Sequence, residues 1–138
     1  MSEPPLHSGS CLCGAVRFEI AGPLPAIQIC HCGACRKAQG APFATNIPVA
    51  AGNFRLLSGE RALRAYESSP GKERVFCGTC GAPLMSRLTH APETVRIRAG
   101  LLDPPVEAKL GSHAYADSKA DWWPIEDDLP RFPGARPA

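Results

Sequence analysis

The chain has 138 residues, 44% of them hydrophobic and 20% charged, the size and balance of one ordinary globular domain, which excludes wholesale disorder. Fifteen Lys and Arg against thirteen Asp and Glu leave a formal charge of +2, too small for a nucleic-acid binder or other general polyanion partner. No apolar run approaches the roughly 18–20 residues that cross a bilayer, and Met1 to Gly9 have neither the basic flank nor the apolar stretch of a signal peptide, so a cytoplasmic protein with no membrane partner is expected.

Thirteen Gly and fifteen Pro favour short strands joined by tight turns over long helices. In chain order, Ala15 to Ile20 alternates, with Val16, Phe18 and Ile20 on one face and Arg17 and Glu19 on the other. That pattern predicts a half-buried strand, ended by Gly22 and Pro23. Ile27 to Cys32 reads as a second strand, and Cys35 to Gln39 as one helical turn stopped by Gly40. Further strands are expected at residues 43–49, 53–57, 63–66, 74–77, 84–87 and 94–99. In the last of these, Val95, Ile97 and Ala99 share one face while Arg96 and Arg98 share the other. From Ala120 onward the tail carries Trp122, Trp123, Leu129 and Phe132 among prolines and acids. It is expected to be irregular chain that lays aromatics over the core. With no internal repeat and no low-complexity linker, the reading is one mostly β, antiparallel domain.

Seven cysteines stand in three clusters: Cys11 and Cys13; Cys30, Cys32 and Cys35; Cys77 and Cys80. An odd number strands a thiol in any closed disulfide framework, and a reducing cytosol disfavours disulfides in any case. Metal binding accounts for the pattern better. A C-x-x-C turn closed by glycine offers two thiolates from one bend, and C-x-C on extended chain points both thiols to the same side. Cys11/Cys13 with Cys77/Cys80 would complete a tetrahedral four-cysteine zinc site. Cys30, Cys32 and Cys35 remain as three ligands with a vacant position, the pattern of sites where water or substrate completes the tetrahedron. Two alternatives stay open at this level: cysteines buried simply as small hydrophobes, and a single zinc site with the middle cluster unmetallated. His31, between two cysteines on extended chain, is expected to face away from their metal and to support the site without ligating. His7, His90 and His113 are expected to be solvated surface histidines.

The segments Gly9-Ser10-Cys11-Leu12-Cys13-Gly14, Cys30-His31-Cys32-Gly33-Ala34-Cys35-Arg36-Lys37 and Phe76-Cys77-Gly78-Thr79-Cys80-Gly81 resemble the glutathione-dependent formaldehyde-activating enzyme family, which includes centromere protein V-like domains. Gly100-Leu101-Leu102-Asp103, the Trp122/Trp123 pair and Leu129-Pro130-Arg131-Phe132 follow in the same order. The resemblance covers residues 8–133 as one zinc domain and leaves residues 1–7 and 134–138 as flexible termini. It implies packed antiparallel sheets of the β-tent type stapled by a four-cysteine zinc site. It also implies two zinc ions per chain: a structural one at Cys11, Cys13, Cys77 and Cys80, and a reactive one at Cys30, Cys32 and Cys35.

The implied activity is that of a carbon–sulfur lyase similar to S-(hydroxymethyl)glutathione synthase. A small thiol such as glutathione would meet an aldehyde such as formaldehyde at the reactive zinc. Coordination favours the thiolate, which is the nucleophilic form. An anionic tripeptide needs cationic partners, and proximity in sequence to the cysteines picks Arg36, Lys37 and Arg74 as candidate substrate residues. Two other classes stay open: a non-catalytic zinc-stabilised binding module, and a thiol redox or metal-handling protein that releases zinc on oxidation. Strand edges leave a homo-oligomer open.

Overall fold

Alternation decides which residues meet. Phe18 and Ile20 lie on one face of the strand they share, and both are almost wholly buried. The computed structural model describes residues 4–137. Its strands are β1 (Leu6–Ser10), β2 (Arg17–Ala21), β3 (Ile27–Cys30), β4 (Ala44–Ala50), β5 (Phe54–Ser58), β6 (Leu63–Ser69), β7 (Lys72–Cys77), β8 (Pro83–Leu88), β9 (Ala91–Arg98) and β10 (Leu110–Ala114). Helix α1 spans Gly33–Gln39. Residues 1–3 and 138, parts of the termini expected to be flexible, lie outside the described residues; the expected boundary at residue 8 falls within β1.

A three-stranded antiparallel sheet, in the order β1-β2-β5, packs on a seven-stranded sheet in the order β10-β3-β4-β9-β8-β7-β6. Phe18 and Ile20 from the first sheet meet Ile47, Val49, Val75, Leu84, Val95 and Ile97 from the second in one apolar core. Each such fully buried side chain contributes roughly 1.5–3 kcal/mol of transfer free energy. The eight expected strands are all present, with ends moved by a few residues. Helix α1 begins two residues earlier than the sequence suggested, because Cys32, extended at φ −64° and ψ 153°, caps it through its own sulfur.

Two strands carried no alternation and were not expected. β1 pairs antiparallel with β2, and β10 pairs with β3 in parallel, the one departure from an all-antiparallel arrangement among the described strands. Neither segment alternates, since β1 and β10 are built largely from small and polar residues. Their hydrogen bonds come from partner strands, not from local pattern.

The outer face of the large sheet is polar and yet covered. Gln28 lies opposite Asn46, and Asn46 opposite Arg98. Arg96 lies opposite Ser86, Ser86 opposite Arg74, and Arg74 opposite Tyr66. Directly opposed residues share a face, so these side chains form one polar field, in which Asn46, Ser86 and Arg98 are buried. A buried polar field needs partners.

Among the described residues, the tail from Ala120 contains no regular strand or helix apart from a single bridge at Arg131. It docks on β10 through His113 N–H to Pro130 O and Phe132 N–H to His113 O, both at 2.9 Å. Trp123 sets its ring edge-to-face on Phe43, with centroids 5.7 Å apart. Trp122, expected to cover the core, is 65% exposed.

Candidate metal centres

The loop after β1 folds back on itself. Cys11 N–H donates to Val16 O at 3.0 Å, Gly14 N–H to Cys11 O at 3.2 Å, and Val16 N–H to Cys11 Sγ at 3.3 Å. The turn between β7 and β8 repeats the device, with Gly81 N–H donating to Cys77 O at 2.7 Å. Gly14 and Gly81 both stand at φ +81°, a left-handed conformation that side chains disfavour. These two turns, one from each sheet, bring four sulfurs together. Cys11 Sγ lies 3.6 Å from Cys13 Sγ, and Cys13 Sγ lies 3.9 Å from Cys77 Sγ. All four sulfurs, Cys80 included, are within 4.8 Å of one another. A tetrahedron with zinc–sulfur bonds of about 2.3 Å has sulfurs about 3.8 Å apart, so the set fits zinc. Backbone N–H groups of Ala82 and Cys13 lower the Cys80 thiol to about 6, favouring the thiolate a metal needs.

The second centre stands where β3 runs into α1. Cys35 N–H donates to Cys32 Sγ at 3.3 Å, and the sulfurs of Cys30, Cys32 and Cys35 lie within 4.8 Å of one another. Hydrogen bonds from Cys30, then Cys35, hold the Cys32 thiol far below its ordinary range. Hydrogen bonds with Cys32, then Cys35, push Cys30 far up, and burial adds to the effect. No fourth cysteine, histidine or carboxylate joins this cluster among the described residues.

Positive charge surrounds it. The Arg74 guanidinium places Nη1 and Nη2 each 3.8 Å from Cys35 Sγ. Beside the trio opens a cavity of about 310 Å³ whose lining includes Cys30, Cys35, Lys72, Arg87, Arg96 and Arg136 and no acidic residue. Arg87 is engaged by Glu73 at 3.0 Å. Tyr115, also on this cavity, holds φ +54°, a strained conformation that tends to cluster at functional sites.

Of the candidate substrate residues, Arg74 meets the trio directly. Arg36 is half-buried on α1, with Nε lacking a partner. Lys37 is exposed on α1 and lines neither cavity that flanks the trio. Lys72, Arg87, Arg96 and Arg136 were not singled out from sequence. Arg96 and Arg98 were visible as a shared strand face, and that signal would have pointed to this field had a cover for the face been foreseen.

His31 lies outside the sulfur cluster, fully buried, with Nε2 2.8 Å from His113 Nδ1. The expectation of a solvated His113 is corrected: it is 3% exposed, because the tail folds over it and Asp127 accepts from its Nε2 at 3.0 Å. His7 is half-buried and within 3.0 Å of Gly22 O, while His90 is exposed as expected.

Fold and site define a β-rich domain with two cysteine clusters able to bind metal, one linking its sheets and one open to a cationic cavity. The family profile described as glutathione-dependent formaldehyde-activating enzyme matches residues 6–118. A Halomonas elongata protein named "Putative glutathione-dependent formaldehyde-activating enzyme" is 34% identical over 134 residues, covering 88% of this chain and 82% of that one. The crystal structure of a Rhodobacter sphaeroides protein superposes with a TM-score of 0.60 at 25% identity, covering 72% of this chain and 91% of that one. The chain belongs to the glutathione-dependent formaldehyde-activating enzyme family.

Proposed function

We propose that the chain is a zinc-dependent enzyme of carbon–sulfur lyase type, joining a small thiol, glutathione, to formaldehyde at Cys30, Cys32 and Cys35. The observation that carries this reading is the three-sulfur cluster at the wall of an acid-free, cationic cavity. Family membership supports an enzyme that handles a thiol and an aldehyde. Cys11, Cys13, Cys77 and Cys80 hold a second, structural zinc, which makes two per chain, and the protein works in the cytoplasm.

Zinc on the trio supplies a Lewis acid that favours the thiolate of an arriving thiol. The rest of the chemistry belongs to the chain. Lys72, Arg96 and Arg136 draw the carboxylates of the thiol into the cavity, and Arg74 offsets the negative charge gathered at Cys35. The thiolate sulfur then bonds to the formaldehyde carbon, the carbonyl π pair moves to oxygen, and that oxygen takes up the proton the thiol gave up. The product is the S-hydroxymethyl thiohemiacetal, and the reverse step breaks the carbon–sulfur bond.

Native mass spectrometry of the purified chain, with and without glutathione, tests the proposal. Two zinc ions and a glutathione adduct that Cys32→Ser abolishes support it, as does turnover of formaldehyde with glutathione. One zinc and no adduct would overturn it in favour of a structural or redox protein.

A further inference from the structure

A second, smaller cavity of about 170 Å³, lined in part by Arg74, lies between α1 and strands β6 to β9. We propose that it binds a carboxylate, held by Arg98, Gln39 and Arg74. This goes beyond the thiol and aldehyde reading, because it concerns a second cavity with its own donors.

Arg98 is only 4% exposed. Its Nη1 donates to Asn46 Oδ1, but its Nε is buried with no partner. No carboxylate pairs with it among the described residues. Gln39 lines the same cavity, and its Nε2 is also buried and unpartnered. Buried charges and buried donors are costly when left alone, so two such donors on one cavity point to an acceptor that belongs there. Arg74 adds a second guanidinium, already turned toward Cys35 Sγ.

The charge balance selects the ligand. Arg74 already faces Cys35 Sγ, so Arg98 is the guanidinium left to a ligand, and one free guanidinium suits a monoanion better than a phosphate. Guanidinium forks match the planar geometry of a carboxylate. Phe76 and Met85 offer apolar wall for a short carbon chain, and no acidic residue lines the cavity. The volume exceeds the roughly 30 Å³ share of one water several-fold. The carboxylate has two sources: a free small acid, or whichever of the two carboxylates of glutathione Lys72, Arg96 and Arg136 do not hold.

The test is a titration of the full-length protein with ¹³C-acetate, followed by NMR in chloride-free buffer. Saturable binding is expected, weakened about tenfold or more in Gln39→Leu and in Arg98→Met, as loss of a charge-assisted donor implies. Gln39→Leu, on the half-buried side of α1, keeps the test open if Arg98→Met does not fold. No saturable binding up to about 100 mM, far above the millimolar range of a weak specific site, would overturn the proposal. Binding untouched in Gln39→Leu, with its fold intact by circular dichroism, would overturn it too. Competition between acetate and glutathione identifies the thiol as the source, and simultaneous binding identifies a free acid. Acetate binding without any glutathione adduct sinks the thiol reading alone; an adduct without acetate binding sinks this one alone.

Discussion

His31 and His113, 82 positions apart, are joined by a 2.8 Å contact between Nε2 of the first and Nδ1 of the second. Asp127 sets the direction of the proton. Its carboxylate only accepts, so His113 donates from Nε2, accepts at Nδ1, and takes the Nε2–H of His31. The C-terminal tail is thereby tied to the junction of β3 and α1, where Cys30 and Cys32 flank His31. Replacing His113 by Ala strands a buried donor on His31 and costs about 1–3 kcal/mol. Urea denaturation of His113→Ala is expected to show a lower midpoint with an unchanged slope; an unchanged midpoint would mean that the contact contributes nothing.

The same chain of groups predicts sensitivity to acid. The hydrogen bond from His113 holds Asp127 below the ordinary carboxylate value of 3.8. A carboxyl lowered by folding stabilises the native state above its unfolded value and loses that contribution as pH falls through the folded one. Burial above all lowers His31. The unfolded chain therefore gains a proton near pH 6.5 that the folded one resists, and stability begins to fall from there downward. Wild type should exceed Asp127→Asn in stability at about pH 5, and the margin should close as pH falls below about 4. A margin that stays constant down to pH 3 would show that Asp127 does not gain its stability from ionisation.

The two sulfur clusters should respond differently to the loss of one ligand. Cys80 links the β7–β8 turn to the loop after β1, and structural zinc contributes on the order of 10 kcal/mol of apparent binding energy coupled to folding. Cys80→Ser is expected to lose one zinc and to unfold at a much lower temperature. Cys32→Ser, next to the open cavity, is expected to lose one zinc and keep most of its stability. Metal analysis alongside thermal melts decides the matter, and equal damage in both variants would abolish the division of labour.

Gly59 is the support behind the first cluster. It stands at φ +90°, and a Cβ there would fall 2.4 Å from Ala15 O and 2.7 Å from Val16 Cα. Val16 in turn holds Cys11 through both its N–H and its carbonyl. Gly59→Ala combines a disfavoured backbone with a collision, so a loss of about 1–3 kcal/mol or more is expected. Faster zinc transfer from the variant to a chelator would accompany it. A variant with wild-type melting and wild-type zinc release would show that the loop shifts freely.

What the sequence determined by itself was local. The alternation of Val16, Phe18 and Ile20, and of Val95 and Ile97 against Arg96 and Arg98, marked β2 and β9, because side-chain direction repeats within a few residues. Cysteine spacing with Gly14 and Gly81 marked the half-sites for the same reason: a turn closes over four residues. What only the tertiary structure decided was which distant groups face one another. Arg74, chosen for its nearness to Cys77, reaches Cys35, since the order β9-β8-β7 carries it under α1. Arg98, visible in sequence only as sharing a strand face with Arg96, is buried because α1 and its neighbours cover that face of the sheet. His113 gained Asp127 and His31 from opposite sides of a parallel pairing that no local pattern announced. Register between strands is set by the burial of the whole apolar face, a sum over many distant residues, so the cationic field and the histidine chain exist only once both sheets have packed.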